Sequence, residues 1–306
     1  MNARAVAAVA ALDHLARNPK ASSARSRREA GSPSHATYTR QPAGSRTSHL
    51  PRWLAAALDD PSPVVLPLAF GLSLLAFWEF AVWALNYPAA ILPAPSVVLA
   101  ALIEERALLL ANVLPTAAVA AGGFLLAVFV GIALSVAMTW SQVAREALYP
   151  NIIAFQLVPK VAWAPMFILW LGIGVEARLG FAMFIAIFPI IINMTAGLSN
   201  TDKSMLNLCR ALTASKWQTL VYVRFPYALP FLFSAMKISI TLAMIGVIVG
   251  EFITSQQGLG FVILTAAAKA QADVMLAAVV VLCIMGLAFY GVIALLTWLV
   301  DRWFGR

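Results

Sequence analysis

Six long stretches of the chain are almost entirely apolar, and shorter polar segments separate them. A helix that crosses a lipid bilayer needs about 20 mainly apolar residues. Because each stretch meets that length, the pattern predicts an all-α, polytopic membrane protein with about six transmembrane helices. The six predicted spans are residues 64–85, 116–139, 148–172, 178–198, 231–253 and 276–300.

The third predicted span differs from the others because it contains three prolines. Pro150, Pro159 and Pro165 each lack a backbone N–H, and proline tends to kink or break a helix. The sequence therefore predicts a broken or bent third span. Irregular backbone at membrane depth persists where it is buried in protein or lines a wet cavity. Two interpretations stay open: a wall of a transport pathway, or kinks that serve packing alone.

The first 62 residues have a different composition from the rest of the chain. They are rich in Ala, Ser, Arg and Pro, and their only aromatic residues are Tyr38 and Trp53. Such a segment buries too little apolar surface to offset the entropy lost on ordering. Residues 1–62 are therefore predicted to be a disordered basic tail, and residues 63–306 the membrane domain. An organelle transit peptide is the alternative interpretation of the tail.

Charge adds an orientation to the predicted spans. Only 11% of the residues are charged, against about 25% in soluble domains, yet the net charge is +8. The loops predicted to be cytoplasmic contain Arg145, Lys203, Arg210, Lys216 and Arg224, and the predicted outer loops contain Arg106, Arg178 and Lys269. Cationic loops stay on the cytoplasmic side, so both termini and the polar segment at residues 204–226 are predicted to be cytoplasmic.

That polar segment begins with the pattern of a short amphipathic helix. Met205, Leu208, Cys209 and Leu212 follow the spacing i, i+3, i+4, i+7 and share one helix face. Two interpretations of this face stay open. It either docks into the groove of a partner protein or lies in the lipid headgroup layer.

A second short helix is predicted to follow the first. Ser215 is a favourable N-cap, and Trp217 lies on the apolar face that comes after it. Phe225 precedes Pro226, so it is expected to leave helical geometry. The fifth span is then expected to start at Pro230 from a fixed angle.

Residues 204–226 resemble the cytoplasmic loop of ABC importer permeases. In that family the loop reads E-A-A, three residues, G, nine residues, I-x-L-P, and it forms coupling helices that sit in a cleft of an ATPase subunit. The spacing is the same in this chain. By this resemblance, the residues expected to couple to the ATPase are Asn207, Leu208, Cys209, Arg210, Thr213, Ser215, Trp217, Val223 and Pro226.

Two positions in the loop depart from the family pattern. Thr213 replaces the usual glycine, and a threonine adopts a left-handed turn less readily than glycine. Asn207 replaces the usual glutamate and removes a charge that the ATPase commonly meets. These departures raise the question of how the loop is built here.

Further motifs resemble the branch of the family that imports nitrate, sulfonates, taurine and thiamine-pyrimidine precursors. They are WEF at 78–80, ILPAPSVVLAAL at 91–102, PKVAWAPMFILWLGIG at 159–174 and GEFITSQQGLGFVI at 250–263. The resemblance implies a permease subunit, of the type I importer fold, in a bacterial inner membrane. It also implies a second permease copy, two ATPase subunits and a periplasmic or lipid-anchored solute-binding protein as partners, and no nucleic acid.

The sequence lacks the motifs of an enzyme. No G-x-x-x-x-G-K-[ST] phosphate loop is present, so ATP and magnesium are expected on a partner subunit and no cofactor or metal on this chain. Ionisable residues inside spans need an explanation because they are costly there. Lys160, together with Trp163, and Glu251 are candidates for lining the pathway. A self-sufficient secondary carrier or channel is the alternative function.

Overall fold

A computed structural model describes residues 62–303, and all regular structure in that range is helical. The predicted tail lies outside the described residues except for Ser62, where the first helix begins. The α-helices are α1 Ser62–Leu85, α2 Pro95–Glu104, α3 Arg106–Trp140, α4 Gln142–Leu157, α5 Ala164–Leu171, α6 Val175–Ser199, α7 Lys203–Ala211, α8 Lys216–Thr219, α9 Phe225–Thr254, α10 Leu259–Ala268 and α11 Ala272–Trp303. A 3-10 helix, Lys160–Trp163, precedes α5, and a π-helix, Leu220–Arg224, precedes α9.

Five helical segments are long and apolar enough to cross a membrane: α1, α3, α6, the segment containing α9, and α11. The third predicted span is broken, as the prolines indicated. It consists of α4 and of the segment Lys160–Leu171, and the two parts are bent by 99°. Counted as one crossing, this bent pair brings the total to the six that the apolar pattern predicts.

Helix α6 forms the centre of the bundle and packs between α3 and α9. Ala182 lies at the point of closest approach. A Cβ atom on Gly123 of α3 would lie 2.6 Å from the Ala182 Cβ, and one on Gly246 of α9 would lie 2.8 Å from the Ala182 Cα. Small residues let these backbones approach closely, which is how helices associate in a membrane. By contrast, only 6% of the most apolar window of α1 is buried, against 56% for α6.

The two short apolar helices, α2 and α10, were not predicted, because ten residues are too few for a span. They pack with the beginnings of α3 and α11 in one apolar cluster that includes Val98, Leu109, Val262 and Val274. We call this the cap end of the bundle, and the end that carries residues 204–226 the loop end.

A carboxylate of α1 holds the start of α2. The Ser96 backbone N–H and hydroxyl donate to the Glu79 carboxylate at 3.0 and 2.7 Å. A negative charge is favourable there because the first backbone N–H groups of a helix are unsatisfied and carry partial positive charge. Two of the sequence motifs, WEF and ILPAPS, therefore meet in one structural unit.

The predicted break at Phe225 is wrong. Phe225 has helical dihedral angles (φ −65°, ψ −48°), and the helix runs continuously from Lys216 to Thr254 with Pro230 inside it. The π-helix explains the difference. The Phe225 N–H bonds to the Leu220 carbonyl five residues back, and this wider turn accommodates Pro226, which has no N–H to donate.

Candidate functional site

The first helix of the loop, α7, begins at a well-formed cap. Asp202 is the N-cap residue, and its carboxylate accepts hydrogen bonds from the Ser204 hydroxyl and backbone N–H. These two bonds lower the pKa of Asp202. The cap therefore stabilises the loop when Asp202 is charged, and this contribution is lost as the pH falls through the lowered pKa.

The end of α7 is a Schellman motif centred on Thr213. The Ala214 N–H bonds to the Cys209 carbonyl at 2.9 Å, and the Thr213 N–H bonds to the Arg210 carbonyl at 3.0 Å. Such a motif requires a left-handed residue, and Thr213 has φ +54°. The chain thus forms a left-handed turn with a threonine, which is strained in that conformation.

The second helix of the loop begins at the predicted N-cap, Ser215. Its hydroxyl accepts from the Gln218 N–H at 3.1 Å, and the Gln218 side chain accepts from the Ser215 N–H at 2.8 Å. This reciprocal pair is a capping box. The turn between the two helices is therefore fixed by backbone bonds on the α7 side and by side-chain–backbone bonds on the α8 side.

The loop presents apolar side chains that the described part of the chain leaves uncovered. The exposed fractions are 51% for Met205, 54% for Leu208, 71% for Leu212 and 60% for Trp217. These residues belong to the faces that the helical spacing predicted. Of the residues expected to couple to an ATPase, Asn207, Leu208, Arg210, Thr213, Ser215 and Trp217 are exposed, and Cys209, Val223 and Pro226 are half-buried.

At the cap end, Glu251 lies at the centre of a buried polar cluster. Its carboxylate accepts hydrogen bonds from the Thr116 hydroxyl at 2.8 Å and from the Gly260 N–H at 2.7 Å. The Thr116 hydroxyl oxygen accepts in turn from the Leu259 N–H at 2.8 Å. Glu251 is fully buried, so its carboxylate is enclosed by protein groups.

The Glu251 cluster caps the N-terminus of α10. Asn112 completes it, because its side-chain oxygen accepts from the Gly258 N–H at 2.7 Å. Gly258 has φ +108°, a conformation that strongly favours glycine, and a Cβ there would collide with the Glu251 carboxylate. The GEFITSQQGLG motif therefore contains both the carboxylate of Glu251 and the start of the helix that this carboxylate binds.

Three polar residues near this cluster were not predicted as functional. Asn112 and Thr116 are four residues apart in an apolar stretch, and that spacing on one helix face was the available signal. Arg178, assigned above to an outer loop, instead lies within α6 and is buried. Its guanidinium donates to the Ser255 hydroxyl at 2.8 Å and to the Gly174 carbonyl at 3.3 Å.

The break in the third span brings Lys160 and Trp163 together in the 3-10 helix. The Lys160 Nζ lies 5.2 Å from the centroid of the Phe188 ring, and the Trp163 ring lies 5.7 Å from that of Phe184. The face of the Phe188 ring attracts the ammonium group of Lys160 and positions it at the broken helix. Glu251 is bonded to the cap cluster instead, so the pathway role of all three residues stays a prediction.

Within residues 62–303, an all-helical bundle with up to six apolar crossings, one of them broken, is the architecture of a polytopic membrane protein. The family described as the inner membrane component of binding-protein-dependent transport systems matches residues 123–306, more than half of the chain. The chain belongs to this family. It is a multi-pass permease subunit of an ABC transporter for small solutes, and subunits of this kind are transport components rather than enzymes.

Two relatives agree with the branch that the motifs indicated. The riboflavin transport system permease protein RibX of Chloroflexus aurantiacus is 34% identical over 243 residues, which covers 79% of this chain and 89% of RibX. The formylaminopyrimidine transport permease protein ThiX of Halalkalibacterium halodurans is 31% identical and covers 64% of this chain and 78% of ThiX.

The fold is also similar to a solved structure of the inward-facing MetNI methionine ABC transporter. The TM-score is 0.57 at 20% sequence identity, and the match covers 64% of this chain and 98% of the matched chain. The likeness supports the predicted type of permease fold.

Replacing Thr213 with glycine is expected to stabilise the loop. A non-glycine residue in the left-handed region costs about 1–2 kcal/mol. Relief of about 1 kcal/mol slows hydrogen exchange of the α7 and α8 amides about fivefold. Thr219→Gly is the matched control, because Thr219 is helical (φ −60°) and glycine there speeds exchange. Equal exchange in both variants would contradict the assignment of strain to Thr213.

Replacing Glu251 with alanine is expected to destabilise the cap end. The Gly260 N–H and the Thr116 hydroxyl lose their acceptor in a buried site, at a cost of about 3 kcal/mol. Denaturant unfolding in detergent measures this loss. Glu176→Ala is the control, since that carboxylate is exposed in the first turn of α6 and contributes about 0.5 kcal/mol. A similar loss in both variants would refute the capping role.

Proposed function

We propose that residues 204–226 dock into an ATPase subunit on the cytoplasmic side and couple ATP hydrolysis to alternating access. The supporting observation is the exposed apolar surface of a loop whose own turns are fixed by caps. Such a surface, held in one shape and left uncovered by its own chain, suits a helix-in-groove interaction. The family to which the chain belongs works with ATPase and binding-protein partners, and this loop offers the groove-binding element.

The connection between the loop and the membrane supports a mechanical role. The loop leads into α9 without a break, and α9 packs along the central helix α6. A displacement of α8 by a closing ATPase is therefore transmitted along one helix rather than absorbed at a hinge. In this proposal two permease copies enclose the pathway, each with one ATPase, and both termini are cytoplasmic.

The solute is proposed to be a nitrogen heterocycle of the pyrimidine-precursor class. RibX and ThiX are named for riboflavin and formylaminopyrimidine, which both contain such rings. Phe188 contacts Lys160 at the broken span, and Phe184 and Trp163 extend this aromatic cluster, whose ring faces suit planar rings. Nitrate and organosulfonates are the alternatives that the uptake assay has to separate.

Uptake into vesicles that contain the permease, its ATPase and its binding protein tests the coupling role. Arg210→Ala with Trp217→Ala removes one exposed cation and one exposed aromatic from the loop. We expect normal membrane insertion and loss of at least about tenfold in ATP-driven uptake, because a removed interfacial anchor of this kind costs 2 kcal/mol or more. Labelled formylaminopyrimidine is the probe, with nitrate and taurine as competitors that are not expected to displace it.

The matched control is Arg302→Ala with Trp303→Ala, which removes the same residue types from the end of α11, outside the loop. That variant is expected to retain uptake. Normal coupled uptake by the loop variant would refute the proposal. Uptake by the chain alone, driven by an ion gradient, would favour the secondary carrier instead.

A further inference from the structure

A cavity of about 290 Å³ lies between the end of α3 and the loop. Thr139 and Trp140 form one side, and Arg210, Lys216 and Arg224 contribute three cations to the other. Arg210 is shared with the proposed ATPase contact, whereas Lys216 and Arg224 belong to the cavity alone. Three positive charges around one small space repel one another unless an anion lies between them.

The cations have no acidic partner in the chain from residue 62 to 303. Arg210 donates only to the neutral Asn207 side chain at 3.2 Å, and no ion pair forms at Lys216 or Arg224 within that range. The acids nearby are engaged by other groups: Glu146 accepts from Gln142 at 2.8 Å, and Asp202 accepts from Ser204. No acidic side chain of the described residues lines the cavity itself, so the potential inside it is positive and attracts an anion.

Trp140 indicates that the cavity lies at the depth of the lipid head groups. Trp140 is the last residue of α3, an apolar helix of 35 residues, and its ring lies 6.3 Å from that of Trp217. Tryptophan is enriched at the membrane–water interface, where its ring is half in each phase. Basic pockets between helices at this depth suit the phosphates of anionic lipids.

The cavity is on a different face of α7 from the apolar docking surface. Leu206 and Arg210, four residues apart, line the cavity. Met205, Leu208 and Leu212 are exposed outside it. Helix α7 thus carries an apolar surface outside the cavity and shares only Arg210 between the two, and filling the cavity does not require that an ATPase be present.

We infer that this cavity binds the phosphate head group of an anionic lipid through Arg210, Lys216 and Arg224. The bound head group neutralises the three cations and fixes the loop to the end of α3. The inference depends on the membrane placement of the chain and not on the coupling proposal. Free phosphate shares the same chemistry, so the test has to separate the two sources.

Retention of lipid by the full chain, purified in detergent and measured by native mass spectrometry, tests the inference. The probes are phosphatidylglycerol and phosphatidylcholine of the same acyl composition. We expect selective retention of phosphatidylglycerol, weakened about fivefold for each cation removed. Arg224→Gln is the first variant. Lys216→Gln, at an exposed position, is the second variant if the first fails to fold.

Arg106→Gln is the matched control, because it removes an arginine from the opposite end of α3. It is expected to retain phosphatidylglycerol like the unaltered chain. Equal retention of both lipids, or equal loss in the control, would overturn the inference. Displacement of the lipid by inorganic phosphate would show that the ligand is a soluble phosphate and would overturn the inference that it is a lipid head group.

Discussion

The continuity of the helical segment Lys216–Thr254 is the constraint on which the rest of the account depends. Its 39 residues span about 58 Å at 1.5 Å per residue, from the loop to the buried Glu251. Pro226 would ordinarily end or bend such a helix, and the π-helix before it keeps the axis continuous. A force applied to the loop therefore acts on the cap end through a single element.

The same hydrogen-bonding arrangement occurs at two places in the cap end. A carboxylate near the end of a membrane helix receives the first backbone N–H groups of the ten-residue helix that follows in sequence: Glu79 for α2 and Glu251 for α10. At Glu251 the bond satisfies a buried donor that would otherwise be unpaired, whereas the bonds at Glu79 are exposed and serve to hold the start of α2. The family motifs at 78–80, 91–102 and 250–263 thus have a structural explanation, separate from any contact with solute.

Local signals predicted much of this structure from the sequence. Apolar length gave the spans, the prolines indicated the broken third span, and Ser215 indicated the start of the second loop helix. The Glu251 cluster was beyond such signals, because Thr116 lies 135 residues away in the chain. A residue before proline usually avoids helical dihedral angles, but Phe225 keeps them. The reason is the π-helical turn, in which the N–H bonds five residues back and Pro226 fits without breaking the helix. The burial of Arg178 required the packed bundle, since its position next to a turn is typical of an outer loop.

Thiol labelling tests whether residues 204–226 face the cytoplasm and bind an ATPase subunit. Both native cysteines are replaced by serine, and Leu212, which is 71% exposed, becomes the single cysteine. We expect a membrane-impermeant maleimide to label this position only from the cytoplasmic side. We also expect a bound ATPase subunit to protect the position. Labelling from the outside, or the absence of protection by the ATPase, would contradict the account.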